Sequence, residues 1–115
     1  MSTHAFVGKY TKDGVVGQYI NFDGYPAYTG RLLVQHHNSA AEVDGLIENG
    51  QIRSLEENGG VERYYDGDIE SYPNIGAVLR SGFDYAYIFD GAYTCFTLRN
   101  IGGESVVSTI EIPSE

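Results

Sequence analysis

Apolar and polar positions alternate in two blocks of this chain, one at each end, and between them the apolar residues recur at spacings of three and four. Residues 4–10 (HAFVGKY) and 15–22 (VVGQYINF) are rich in β-branched and aromatic types and flank Thr11-Lys12-Asp13-Gly14, whose Asp-Gly end suits a turn that needs positive φ. The pattern predicts an opening hairpin. Residues 84–90 (DYAYIFD) set Tyr85, Tyr87 and Phe89 against Ala86 and Ile88, and the face with the smaller residues is expected to lie beneath helices. Asp90-Gly91 then turns the chain into 92–99. A further turn over 100–103 leads to the alternation of 106–112, which completes a three-strand meander.

The middle reads differently. Asp23-Gly24-Tyr25-Pro26 ends the second strand: Asp23 can bond a following amide, Gly24 permits an unusual dihedral and Pro26 fits the first turn of a helix, predicted over 26–37. Gly30 inside that helix costs up to about 1 kcal/mol against Ala, so a close backbone neighbour is expected there, with Leu33 facing it one turn on. Ser39-Ala40-Ala41-Glu42 matches a capping box, Val43, Leu46 and Ile47 share a helical face, and Gly50 can stop the helix in a left-handed conformation. Together they predict a helix over 40–49. Ile52 and Leu55 continue onto the core, 56–60 reads as an exposed loop, and 61–65 as a short edge strand ending at Asp66-Gly67. Ile75, Val78 and Leu79, between Pro73 and Gly82, predict a last helix over 74–81.

Hairpin strands separated by consecutive helices define an α+β fold. The expected architecture is a mainly antiparallel sheet, built from the N-terminal hairpin and the C-terminal meander, with two to three short helices packed on one face. At 115 residues, with no linker-like stretch, the chain is expected to form a single domain over 1–115.

Charge changes the picture more than composition does. The formal net charge is −9, and residues 42–70 carry nine carboxylates against Arg53 and Arg63, a net −7. Such a field repels phosphate backbones and attracts basic protein surfaces, so direct nucleic-acid binding is disfavoured. The candidate partner-binding residues are Glu48, Glu56, Glu57, Glu62, Asp66, Asp68 and Glu70. A solvated surface that keeps an acidic protein soluble is the plainer account of the same charge. Tyrosine supplies 10 of the 15 aromatics, and Tyr25, Tyr28, Tyr85 and Tyr87 could line a pocket beside the Asp23-Pro26 turn.

Familiar catalytic and cofactor signatures are missing from the chain. Adjacent helical residues point about 100° apart, so His36-His37 suits one shared ion poorly, and no metal is expected. Asp66-Gly67-Asp68-Ile69-Glu70 alternates carboxylates as calcium loops do, but Ser71 stands where that pattern needs Gly. Cys95 lies in an alternating strand and reads as a packed apolar thiol. Phosphate loops, dinucleotide fingerprints, Ser-centred elbows and Cys-x-x-Cys pairs do not occur, so no cofactor is expected and a non-catalytic role is favoured over an enzyme. One cysteine allows no internal disulfide, the first residues carry no secretion-signal pattern, and no apolar run reaches the ~20 residues of a bilayer span. The expectation is residence in a host cytoplasm, away from membranes.

Asp23-Gly24-Tyr25-Pro26, then Gly30, Leu33 and His36, then Leu46-Ile47 with Gly50, Ile52, Ser54 and Leu55, and finally Tyr87-Ile88-Phe89-Asp90 give the chain an order of motifs that resembles a group of small bacteriophage and prophage proteins. The resemblance covers most of the chain and brings no established activity with it. It implies a phage origin, and compact acidic phage proteins of this size often bind and disable a host protein. The functional expectation is therefore a protein-binding accessory factor acting through its acidic surface, for example an inhibitor of a defence nuclease whose carboxylates stand in for DNA phosphates. A Tyr-lined ligand-binding domain or enzyme, and a structural or self-assembling protein that forms homo-oligomers, are the alternatives.

Overall fold

A computed structural model describes residues 3–64 and 67–114. Strands β1 (Ala5–Thr11) and β2 (Gly14–Ile20) form the opening hairpin. The predicted first helix is two pieces, a π-helical turn over Pro26–Gly30 that runs directly into α1 (Arg31–His36). α2 (Ala40–Glu48) and α3 (Ile75–Arg80) lie where the spacing of apolar residues puts them. β3 (Ile52–Leu55), β4 (Val61–Arg63) and β5 (Glu70–Tyr72) fill the stretch between those helices, and β6 (Tyr85–Phe89), β7 (Tyr93–Ile101) and β8 (Glu104–Ile110) make the meander. The fold is α+β around one mainly antiparallel sheet.

The strand order is β4-β3-β2-β1-β6-β7-β8. Its centre is the parallel pair of β1 and β6, from Ala5 opposite Tyr85 to Lys9 opposite Phe89, which joins the hairpin to the meander. The outer edge of β2 is divided. β5 pairs antiparallel with Val15–Gly17, and β3 pairs parallel at Ile20. Gln18 lies between the two pairings and is 1% exposed; its amide nitrogen donates to the carbonyls of Ile47 (3.2 Å) and Asp68 (3.5 Å). A buried amide satisfied in this way ties α2 and the chain before β5 to the strand.

Both faces of the sheet are covered, which differs from the expected single helical face. Ala5, Val7, Ile20, Tyr87 and Cys95 pack with Leu32, Leu33 and Leu46 of α1 and α2. Phe6, Val15, Ala86 and Ile88 pack with Val78 and Leu79 of α3 on the other side. The Tyr85-Tyr87-Phe89 face therefore lies under α1 and α2, and the Ala86-Ile88 face under α3. The cause is the β1–β6 pairing, which places the chain's strongest apolar strands at the centre, where each must bury both faces.

Local signals set the element ends. The Ser39 hydroxyl oxygen accepts from the Glu42 amide at 3.2 Å, while its proton goes to the Glu42 carboxylate at 2.9 Å, so the capping box closes side chain to side chain. Asn74 caps α3 by accepting from the Ala77 amide at 2.8 Å. Gly50 stops α2 with φ of 96°, as the sequence predicts. At Gly30, an added Cβ would stand 3.0 Å from both Tyr87 Cε1 and Ile112 Cγ2. The close neighbour is real, but it is formed by side chains and not by backbone.

His37 closes α1 and is itself buried. Its amide closes α1 on the Leu33 carbonyl at 2.9 Å, yet the residue is only 9% exposed and its ring Nε2 has no partner among the described residues. Burial pushes its pKa below the usual 6.5; His36 and Arg63 push the same way, and Glu42 opposes them. Below pH 6.5 the unfolded chain takes up this proton before the folded one does. Stability is thus expected to fall on acidification from pH 6.5 down to the lowered folded value. Thermal melts between pH 7.5 and 5.5 should show that slope in the wild type and a flatter one in His37→Leu; equal slopes would mean that His37 stays solvated.

Candidate binding surfaces

Of the acidic candidates among the described residues, five lie about the β3–β4 ribbon and Glu70 lies apart. Glu56 and Glu57 stand exposed in the β3–β4 turn, Glu62 is exposed on β4 at the sheet edge, and Glu48 is exposed at the end of α2. The chain folds back on itself here: the Tyr64 amide donates to the Gln51 carbonyl at 3.0 Å, and Gly67 packs against Gln51. Glu48 and the exposed Asp68 thus flank the base of the β3–β4 ribbon. Glu70 is set apart. It lies on β5 opposite Gly17, half-buried, and accepts from the Tyr72 hydroxyl at 2.7 Å. Asp66 falls outside the described residues.

Arginines temper this edge. Arg31 pairs with Glu57, and Arg53 pairs with Glu62 at 2.9 Å while its guanidinium lies 5.1 Å from the centre of the Phe22 ring. Arg63 turns inward and donates to the carbonyls of Gly45 (3.1 Å), Leu46 (3.1 Å) and Gly50 (2.8 Å), where it neutralises the negative end of α2. Burial lowers its pKa. Among the described residues, Glu48, Glu56 and Asp68 have no cationic partner, so they carry the outward field.

The four candidate pocket tyrosines do gather beside the Asp23-Pro26 turn, but two of them serve as fasteners. Asp23 adopts φ of 57°, an uncommon value for a residue with a side chain, and its carbonyl accepts from the buried Thr29 hydroxyl at 2.7 Å. The Gly24 carbonyl accepts from the Tyr87 hydroxyl at 2.6 Å, and Tyr87 is fully buried. Tyr28 donates to the Leu55 carbonyl at 2.7 Å. Burial raises the pKa of both phenols. Tyr25 stands exposed and Tyr85 half-buried. Pro26 opens the helical turn and Gly24 is packed against Ala5 and Thr3. Cys95, 1% exposed beside Tyr87, has its thiol pKa pushed up to about 12 by burial, which leaves it unreactive as a nucleophile.

A cleft of about 500 Å³ opens on the opposite face, between the tip of the β1–β2 hairpin, the start of α3 and β8. Its walls are apolar: Tyr10, Val15, Pro73, Ile75 and Val107, with Arg80 at one side. Nothing in the alternation of residues singles these positions out, because three distant segments meet there. The one local signal is Tyr10, an aromatic at a hairpin tip where a polar residue is usual; it remains 49% exposed.

The described residues contain no cluster of three or more metal-ligating side chains and no helix long and apolar enough to cross a membrane. No protein-family model, curated protein or solved structure matches the chain. The protein is thus placed by its architecture alone, as an α+β domain whose mixed sheet has helices on both faces.

Proposed function

We propose that this protein is a non-catalytic binding factor that docks a basic protein surface with its β3–β4 edge. The observation that supports the reading is the outward, unpaired set of Glu48, Glu56 and Asp68 around one ribbon at the sheet edge. Glu57 and Glu62 contribute as halves of ion pairs, which a partner's lysines and arginines can share or exchange. The surface is therefore a mixed one with a negative excess, which steers encounter by its field and sets register by its pairs. An accessory role in a phage-infected host, with a defence protein as target, belongs to the same proposal and rests on the sequence resemblance.

The test joins capture to mapping. Protein immobilised in lysate from its own cellular background at low salt should retain a basic partner, and salt near 0.5 M should release it. The partner's footprint in amide chemical shifts should fall on residues 48–68. Glu48→Gln, Glu56→Gln and Asp68→Asn combined should weaken binding at least tenfold, each surface charge contributing about 0.5 kcal/mol. A footprint on another face, or binding indifferent to salt and to these changes, would remove the proposal.

A further inference from the structure

Seven basic side chains stand against sixteen acidic ones in this sequence, so a cation without a carboxylate is informative. Lys9 pairs with Asp44, Arg31 with Glu57 and Arg53 with Glu62, and Arg63 caps α2. Lys12, Arg80 and Arg99 form no ion pair among the described residues, and of these three it is Arg80 that borders the cleft between α3 and β8. It is the last residue of α3, and its Nη2 donates to the Ser105 carbonyl of β8 at 3.2 Å. Among the described residues no carboxylate approaches it, and its other guanidinium donors have no partner.

Gly76 lies close beside this guanidinium. A Cβ on Gly76 would stand 2.5 Å from Arg80 Nη1, so a side chain there would make the flexible head group shift from its place at the cleft. Around it lie Tyr10, Val15, Pro73, Ile75 and Val107, and Tyr10 and Val107 are 49% and 37% exposed. The volume, about 500 Å³, lies within the range of small-molecule clefts.

We infer that this cleft binds a small organic carboxylate with an apolar body, its carboxylate on Arg80 and its body along the five apolar side chains. A guanidinium presents paired donors that match a carboxylate, and such charge-assisted bonds are about twice as strong as neutral ones. The protein's overall charge of −9 repels small anions in general. Retention therefore needs both halves of the ligand, the charge for orientation and the apolar body for affinity. This site is independent of the acidic edge, since it uses the α3 face and the β1–β2 tip.

Titration of isotope-labelled protein with octanoate, octanol and acetate, all below the concentration at which octanoate aggregates, tests this directly. Octanoate should shift the amides of residues 10, 15, 75, 76 and 107 and bind about tenfold more tightly than octanol, while acetate leaves the spectrum unchanged. Arg80→Met should bring octanoate down to the affinity of octanol. Gly76→Ala supplies a better helix former while crowding the guanidinium, so it should hold or raise the melting temperature and still weaken octanoate several-fold. Equal affinities for octanoate and octanol, shifts confined to another region, no binding of octanoate, or octanoate binding unchanged in Arg80→Met would each overturn the inference.

Discussion

Replacing Tyr87 with alanine should leave the protein largely unfolded or close to it at room temperature. The ring is fully buried between α1, α2 and the sheet, and its hydroxyl is the donor held by the Gly24 carbonyl. Large aromatic-to-alanine changes in cores cost about 3–5 kcal/mol. The stranded carbonyl adds about 1–3 kcal/mol unless water reaches it. Against a total stability of about 5–15 kcal/mol for a domain of this kind, the combined loss is most or all of what holds the fold together. Tyr87→Phe keeps the ring and removes only the bond, so it should cost about 1–3 kcal/mol. Urea denaturation followed by circular dichroism reads both. A Tyr87→Ala midpoint near the wild type would mean that the ring is not a keystone of the core.

The second large effect is expected at Gly17. Gly8 and Gly17 face each other across the β1–β2 pair, and the Phe6 ring lies over both. A Cβ on Gly17 would come within 2.5 Å of Phe6 Cζ and 2.2 Å of the Val7 carbonyl oxygen. Phe6 also meets Tyr72 and Phe83 edge to face, at centroid distances of 5.7 and 5.6 Å, so it has little freedom to retreat. Gly17→Ala should therefore cost about 3 kcal/mol, the upper part of the range for overpacked cores. Phe6→Leu added to Gly17→Ala should return only part of this, because the carbonyl contact remains. Full rescue by Phe6→Leu would show that the ring alone is the obstacle, and a neutral Gly17→Ala would show that the strands part easily.

The two effects differ in how visible they are without a structure. The Asp-Gly turn of the first hairpin, the Ser39 cap, the stop at Gly50 and the alternation in 84–112 depend on residues a few positions apart, and each was legible in the sequence. The helix spacing of Val43, Leu46 and Ile47 was equally plain, and all three are buried. Tyr87, by contrast, looked like the wall of a pocket, since alternation says that it shares a face with Tyr85 but not what covers that face. The charge concentration in 42–70 was countable in advance; that Arg31 reaches Glu57 across 26 positions, or that Arg63 turns inward to α2, was not. β5 was missed because three residues with one aromatic carry too little pattern, and it becomes a strand only by occupying the free edge of β2.

By itself, then, the sequence determined the local elements, their ends, the α+β class and the excess of negative charge, because propensity, capping and periodicity act within a turn or two of the chain. Tertiary structure alone decided that β1 joins β6 in parallel some 80 positions away, that helices cover both faces of the sheet, and that Tyr10, Arg80 and Val107 border one cleft. Those outcomes arise from burying apolar surface between distant segments, and that competition is settled over the whole chain at once.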